Sequence, residues 1–118
     1  MHLAITLADQ TIHATLLDNP AAAAFAAMLP LTLSMRDLFR REKYAPLPSP
    51  LPTNAPKLFR YTVGDIAYWS PSNDLAVYYL QDNETIPAPG IIPLATIDSG
   101  THLFHRPGTL TATFRLLP

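Results

Sequence analysis

Residues 61–80, YTVGDIAYWSPSNDLAVYYL, read as two short apolar strands joined by a Ser/Pro/Asn/Asp turn. Such a hairpin commits the middle of the chain to antiparallel pairing. A fold at Ser70 to Asp74 sets Trp69 against Leu75, Ala67 against Val77 and Asp65 against Tyr79. The opposite face then carries Ile66, Tyr68, Ala76, Tyr78 and Leu80.

The flanking sequence repeats this period. Leu3, Ile5 and Leu7 alternate with polar or small neighbours, as do Ile12, Ala14 and Leu16. A turn centred on Asp9-Gln10 pairs Leu7 with Ile12, Ile5 with Ala14 and Leu3 with Leu16. One helix follows. Asp18 or Asn19 caps it, Pro20 suits its first position, and Ala22, Phe25, Met28 and Leu29 form its apolar stripe before Pro30 ends it. So short a helix is marginal alone and is expected to dock as a plug over one end of a barrel. Leu31, Leu33 and Met35 open another strand, and residues 36–44, RDLFRREKY, read as a solvated mixed-charge segment.

Pro46, Pro48, Pro50, Pro52 and Pro56 then exclude the next stretch from any sheet interior. It is expected to run as a stiff, extended crossover on the surface. Ile91 to Ile97 and Leu110 to Leu116 supply the last strands. Seven or eight strands, one helix and no βαβ alternation indicate a mainly β fold, an antiparallel barrel or sandwich, over a single domain spanning 1–118.

Composition narrows the function classes. Charged residues make up only 14% of the chain, against about 25% in ordinary soluble domains, so much of the surface is expected to be buried or to face a partner. The net charge of -1 lacks the basic excess of a nucleic-acid binder. No run approaches the ~20 apolar residues of a membrane span, and the N-terminus has no basic, signal-like region. With no cysteine, disulfides, thiol catalysis and Cys-ligated metals are excluded, which fits a cytoplasmic protein. The low charge also allows a homo-oligomer formed through exposed strand edges.

Catalytic motifs are sparse. His102 and His105 are three apart, with Asp98 the only nearby carboxylate, and they read as loop histidines rather than metal ligands. Asp98-Ser99-Gly100 lacks the leading glycine of a nucleophile elbow. No two carboxylates share a face at glycosidase spacing, and the four glycines are scattered. No cofactor and no metal are expected. The aromatic residues offer the best site. Tyr68 and Tyr78, placed on one face of the central hairpin, with Tyr44, Asn54, Arg60 and Tyr61 in the segments leading to it, outline a groove for a peptide or small-molecule ligand.

Several short blocks occur in an order that resembles the small bacterial and archaeal cyclophilin-like proteins. They are Asn19-Pro20 with its alanine-rich helix and Leu29-Pro30, Glu42-Lys43-Tyr44, Leu51-Pro52-Thr53-Asn54, Gly64-Asp65-Ile66-Ala67-Tyr68-Trp69, and Ile92-Pro93-Leu94 with Ile97-Asp98. The resemblance implies a compact cyclophilin-like β-barrel and brings peptidyl-prolyl cis-trans isomerase as an inherited activity. Phe104-His105-Arg106 matches the block that carries the catalytic arginine of cyclophilins. It continues as Pro107-Gly108-Thr109-Leu110, without the Phe, Met, Gln and paired glycines of that motif. The resemblance therefore favours a binding barrel without isomerase activity, with isomerase as the alternative.

Overall fold

Eight antiparallel strands close into one barrel in a computed structural model that describes all 118 residues. The strands are β1 (His2–Leu7), β2 (Gln10–Leu16), β3 (Leu31–Leu38), β4 (Glu42–Pro46), β5 (Asp65–Trp69), β6 (Asp74–Tyr78), β7 (Ile92–Ile97) and β8 (Leu110–Leu116), and helix α1 (Pro20–Ala27) lies between β2 and β3. Around the barrel the order is β1-β2-β7-β5-β6-β4-β3-β8, with β8 closing onto β1. Closure leaves no open sheet edge in the barrel wall.

The expected N-terminal hairpin forms with its register shifted by two. Leu7 faces Gln10, Ile5 faces Ile12 and Leu3 faces Ala14, because the turn is Ala8-Asp9. Ala8 takes a φ of +53° to make it. A slip of two preserves the faces, so Leu3, Ile5, Leu7, Ile12 and Ala14 all enter the core as their alternation required.

Asn19 caps α1, its Oδ1 accepting from the Ala22 amide at 2.8 Å, with Pro20 in the first turn. The helix crosses the barrel end where β1 and β7 begin and β8 stops. There it sets Ala21, Ala22 and Phe25 into the core, and Phe25 meets Phe114 edge to face at 6.1 Å.

The central hairpin departs from its expected register by one residue. Ile66 faces Val77, Ala67 faces Ala76, Tyr68 faces Leu75 and Trp69 faces Asp74. A 3₁₀ turn at Ser70–Ser72 and a left-handed Asn73 (φ +59°) make a four-residue connection where five were expected. A slip of one reverses a strand's faces. Ile66, Tyr68, Leu75 and Val77 point into the barrel, while Ala67, Ala76 and Tyr78 join a second apolar cluster outside it.

The charged segment 36–44 is not a solvated stretch. β3 continues through Leu38, turns over Phe39 and Arg40 (φ +56° and +53°), and returns as β4, with Arg36 facing Tyr44, Asp37 facing Lys43 and Leu38 facing Glu42. The proline-rich crossover does run between β4 and β5, mostly exposed, but it sends Leu47 and Leu51 into the core.

Candidate functional site

The outer face of β4 and β6, flanked by β5, is concave where it carries only a methyl group, that of Ala76. Tyr44 on β4 stands opposite Ala76 on β6, and Ala76 stands opposite Ala67 on β5. Larger side chains surround this floor: Tyr44, Trp69 and Tyr78 from the sheet, and Ile86 and Pro87 from the loop that follows β6. The result is a cleft of about 310 Å³. Its floor runs from the Glu42–Tyr78 pair to the Pro46–Asp74 pair, four residue steps or about 13 Å of strand. That length suits a short extended peptide.

One end of the cleft is built around a guanidinium. Arg41 is buried; its Nε donates to Glu42 Oε1 at 2.9 Å and its Nη1 to Asp82 Oδ2 at 3.1 Å. Its guanidinium carbon lies 5.1 Å from the ring centre of Phe39, 5.4 Å from Tyr61 and 6.0 Å from Tyr78. Tyr61 and Tyr78 stack on each other at 4.3 Å, and the Tyr61 hydroxyl donates to the Leu80 carbonyl at 2.8 Å. Burial pushes the Glu42 carboxyl above its ordinary range, and Arg41 only partly reverses this. Burial also raises the Tyr78 hydroxyl, and the neighbouring Glu42 charge raises it further. A buried carboxyl shifted upward at the wall of a cleft marks a candidate functional site.

The other end is more open. Asp74 is half-exposed beside Trp69. Its Oδ2 accepts from Ser72 Oγ at 2.5 Å, and its Oδ1 has no protein partner.

A second polar group lies inside the barrel, behind the cleft wall. Lys43 is fully buried; its Nζ donates to the carbonyls of Arg106 (2.5 Å) and Gly108 (2.7 Å) and pairs with Asp37 Oδ1 at 3.2 Å. The Tyr79 hydroxyl donates to the same Asp37 oxygen, and the His105 ring lies against Tyr79 at 5.2 Å. Lys43 thus anchors the 105–108 loop to the barrel. This group is structural: three acceptors hold the ammonium away from solvent.

Of the six residues that outlined a groove in the sequence, Tyr44 and Tyr78 meet in the cleft, and Tyr61 stacks on Tyr78 without lining it. Tyr68 does not share their face. It points into the barrel, where its hydroxyl accepts from the Leu51 amide at 3.2 Å and donates to Asn73 Oδ1 at 2.7 Å. Asn54 and Arg60 are exposed on the crossover and do not line the cleft. Arg41, Glu42, Trp69 and Asp74 take part where sequence reasoning did not place them. The one available signal was the alternation Leu38, Glu42, Tyr44, which emerges only once Phe39-Arg40 is read as a turn. His102, His105 and Arg106 are exposed, and no three His, Asp or Glu side chains converge.

A family model described as the cyclophilin-like family matches residues 5–115, nearly the whole chain. The chain belongs to the cyclophilin-like family. Among solved structures, this cyclophilin-like barrel is similar to that of a hypothetical protein from Archaeoglobus fulgidus known in solution. The match has a TM-score of 0.65 and 18% identity, and covers 98% of this chain and 93% of the other. At that identity the likeness is one of fold. No curated protein matches the chain. No helix is long and apolar enough to cross a membrane.

Proposed function

We propose that this cyclophilin-like barrel is a cytoplasmic binding module that takes a short peptide or flat small molecule in the cleft on β4, β6 and β5. The observation that carries this reading is the methyl floor at Ala76, ringed by Tyr44, Trp69 and Tyr78. Apolar area with a few fixed polar groups at its ends is what small-ligand sites require. Prolyl isomerisation is not part of the proposal. The guanidinium on the cleft, that of Arg41, already donates to Glu42 and Asp82, so it is not free to act on a prolyl nitrogen.

Trp69 is the only tryptophan in the chain, which makes its emission a direct reporter. A panel of blocked tripeptides and planar aromatic amides is expected to include members that change Trp69 fluorescence. Ala76→Phe, which fills the floor, is expected to abolish the change while the far-ultraviolet circular dichroism stays that of the native barrel. A panel that leaves Trp69 emission unaltered at millimolar concentration overturns the proposal.

A further inference from the structure

We infer that the open end of the cleft recognises an organic cation, with Tyr44 and Trp69 supplying ring faces and Asp74 the counter-charge. The inference rests on the cleft being a binding site and adds the chemical class of its ligand.

The closed end of the cleft already binds a cation. There the fold holds a guanidinium, that of Arg41, between two carboxylates and against the rings of Phe39, Tyr61 and Tyr78. Ring faces attract a cation through their quadrupole, and a carboxylate fixes its position by charge-assisted hydrogen bonds. The open end repeats the combination with no cation of its own. Tyr44 and Trp69 are half-exposed on the cleft, Asp74 stands directly across from Trp69, and Asp74 Oδ1 is unpartnered.

The charge balance points the same way. Of the charged residues lining the cleft, Glu42 and Asp74 are acidic and Arg41 alone is basic. Arg41 is engaged with Glu42 and with Asp82 outside the cleft, so Asp74 remains uncompensated. An anionic ligand would meet that carboxylate, and a neutral one would leave its charge unpaired. A guanidinium or alkylammonium group, such as the side chain of Arg or Lys in a bound peptide, satisfies both the rings and the oxygen.

The probes are N-acetyl-arginine amide and its neutral isostere N-acetyl-citrulline amide, titrated against the whole chain and followed by Trp69 emission and by amide chemical shifts. The arginine compound is expected to bind at least tenfold more tightly, and added salt to weaken it more than the citrulline compound. Asp74→Asn keeps an oxygen for Ser72 and is expected to reduce the ratio to near unity with the circular dichroism unchanged. Equal binding of the two probes to the unaltered protein, or a preference that survives Asp74→Asn, overturns the cation assignment and leaves the cleft as a neutral site. If neither probe binds while tripeptides from the wider panel do, the cation assignment also falls alone. If nothing in either set binds, the cleft reading falls with it.

Discussion

Lys43 and Asp37 face each other across the β3–β4 hairpin on the inside of the barrel, Nζ to Oδ1 at 3.2 Å, with the lysine side chain wholly shielded from solvent. The same ammonium bonds the Arg106 and Gly108 carbonyls. The loop that begins the approach to β8 is thus tied to the β4 strand whose opposite face forms the cleft.

Lys43→Met should therefore be strongly destabilising. It leaves Asp37 with an uncompensated charge and two carbonyls without their donor, a class of change that costs about 3–5 kcal/mol. Urea denaturation measures it. The double variant Lys43→Met/Asp37→Leu should recover part of the loss, because no unpaired charge remains. A single-variant loss below about 1 kcal/mol, the range of exposed pairs, would show that the pair is solvated.

Two carboxyls give stability opposite pH dependences. Burial alone would raise Asp37, but the Tyr79 hydroxyl, the Lys43 ammonium and the Arg40 amide outweigh it and hold the carboxyl below its ordinary value. Its contribution is present above the unfolded value and lost as pH falls through the lower folded one. Asp37→Asn should therefore flatten the acid limb of the stability curve below about pH 4. Glu42 is shifted upward by burial. Its contribution is full below the unfolded value and is lost as pH rises through the folded one. Glu42→Gln should consequently gain stability relative to the parent protein as pH rises above about 4, read by thermal unfolding in parallel buffers.

The outer aromatic cluster should be energetically coupled. Tyr61 and Tyr78 stack at 4.3 Å with their planes 20° apart. A double-mutant cycle with Tyr61→Leu and Tyr78→Leu should return a coupling of about 1 kcal/mol. A coupling indistinguishable from zero would mean that the rings contribute only their separate burial.

The sequence made the strands legible far better than their relative register. Leu3, Ile5 and Leu7, and Leu110, Ala112 and Phe114, announce buried faces by simple alternation, and all six are buried. The cap at Asn19 and the stop at Pro30 bound the helix for the same local reasons. The central hairpin hid its register because the turn length depends on Asn73 adopting a left-handed conformation within an otherwise 3₁₀ connection. One residue of error there moved Tyr68 from the barrel interior to the face of Tyr78. The β3–β4 hairpin hid altogether. Phe39 and Arg40 are poor markers of a turn that needs two positive φ angles, and both Lys43, buried by pairing with the distant Arg106 and Gly108 carbonyls, and Glu42, buried beside Arg41, looked like surface charge. Arg41 and Glu42 of the cleft lie in this segment, and so were not seen.

Purified protein should accelerate isomerisation of a Suc-Ala-Ala-Pro-Phe tetrapeptide little or not at all. The uncatalysed reaction takes tens to hundreds of seconds over a barrier near 20 kcal/mol. Lowering it requires a donor that disturbs amide resonance at the prolyl nitrogen, held beside a pocket for the ring. Arg106, within the Phe104-His105-Arg106 block, is exposed and does not line the cleft, and its carbonyl serves to hold Lys43. Arg60 is exposed on the crossover, also away from the cleft. Arg41 does line it, but its side chain is buried and bonded to Glu42 and Asp82. Arg106→Ala and Arg60→Ala should therefore leave the rate at background alongside the parent protein. A robust enhancement abolished by Arg106→Ala would move the active site to the 104–108 loop. One abolished by Arg41→Ala, in a variant shown by circular dichroism to remain folded, would turn the cleft from a binding site into a catalytic one.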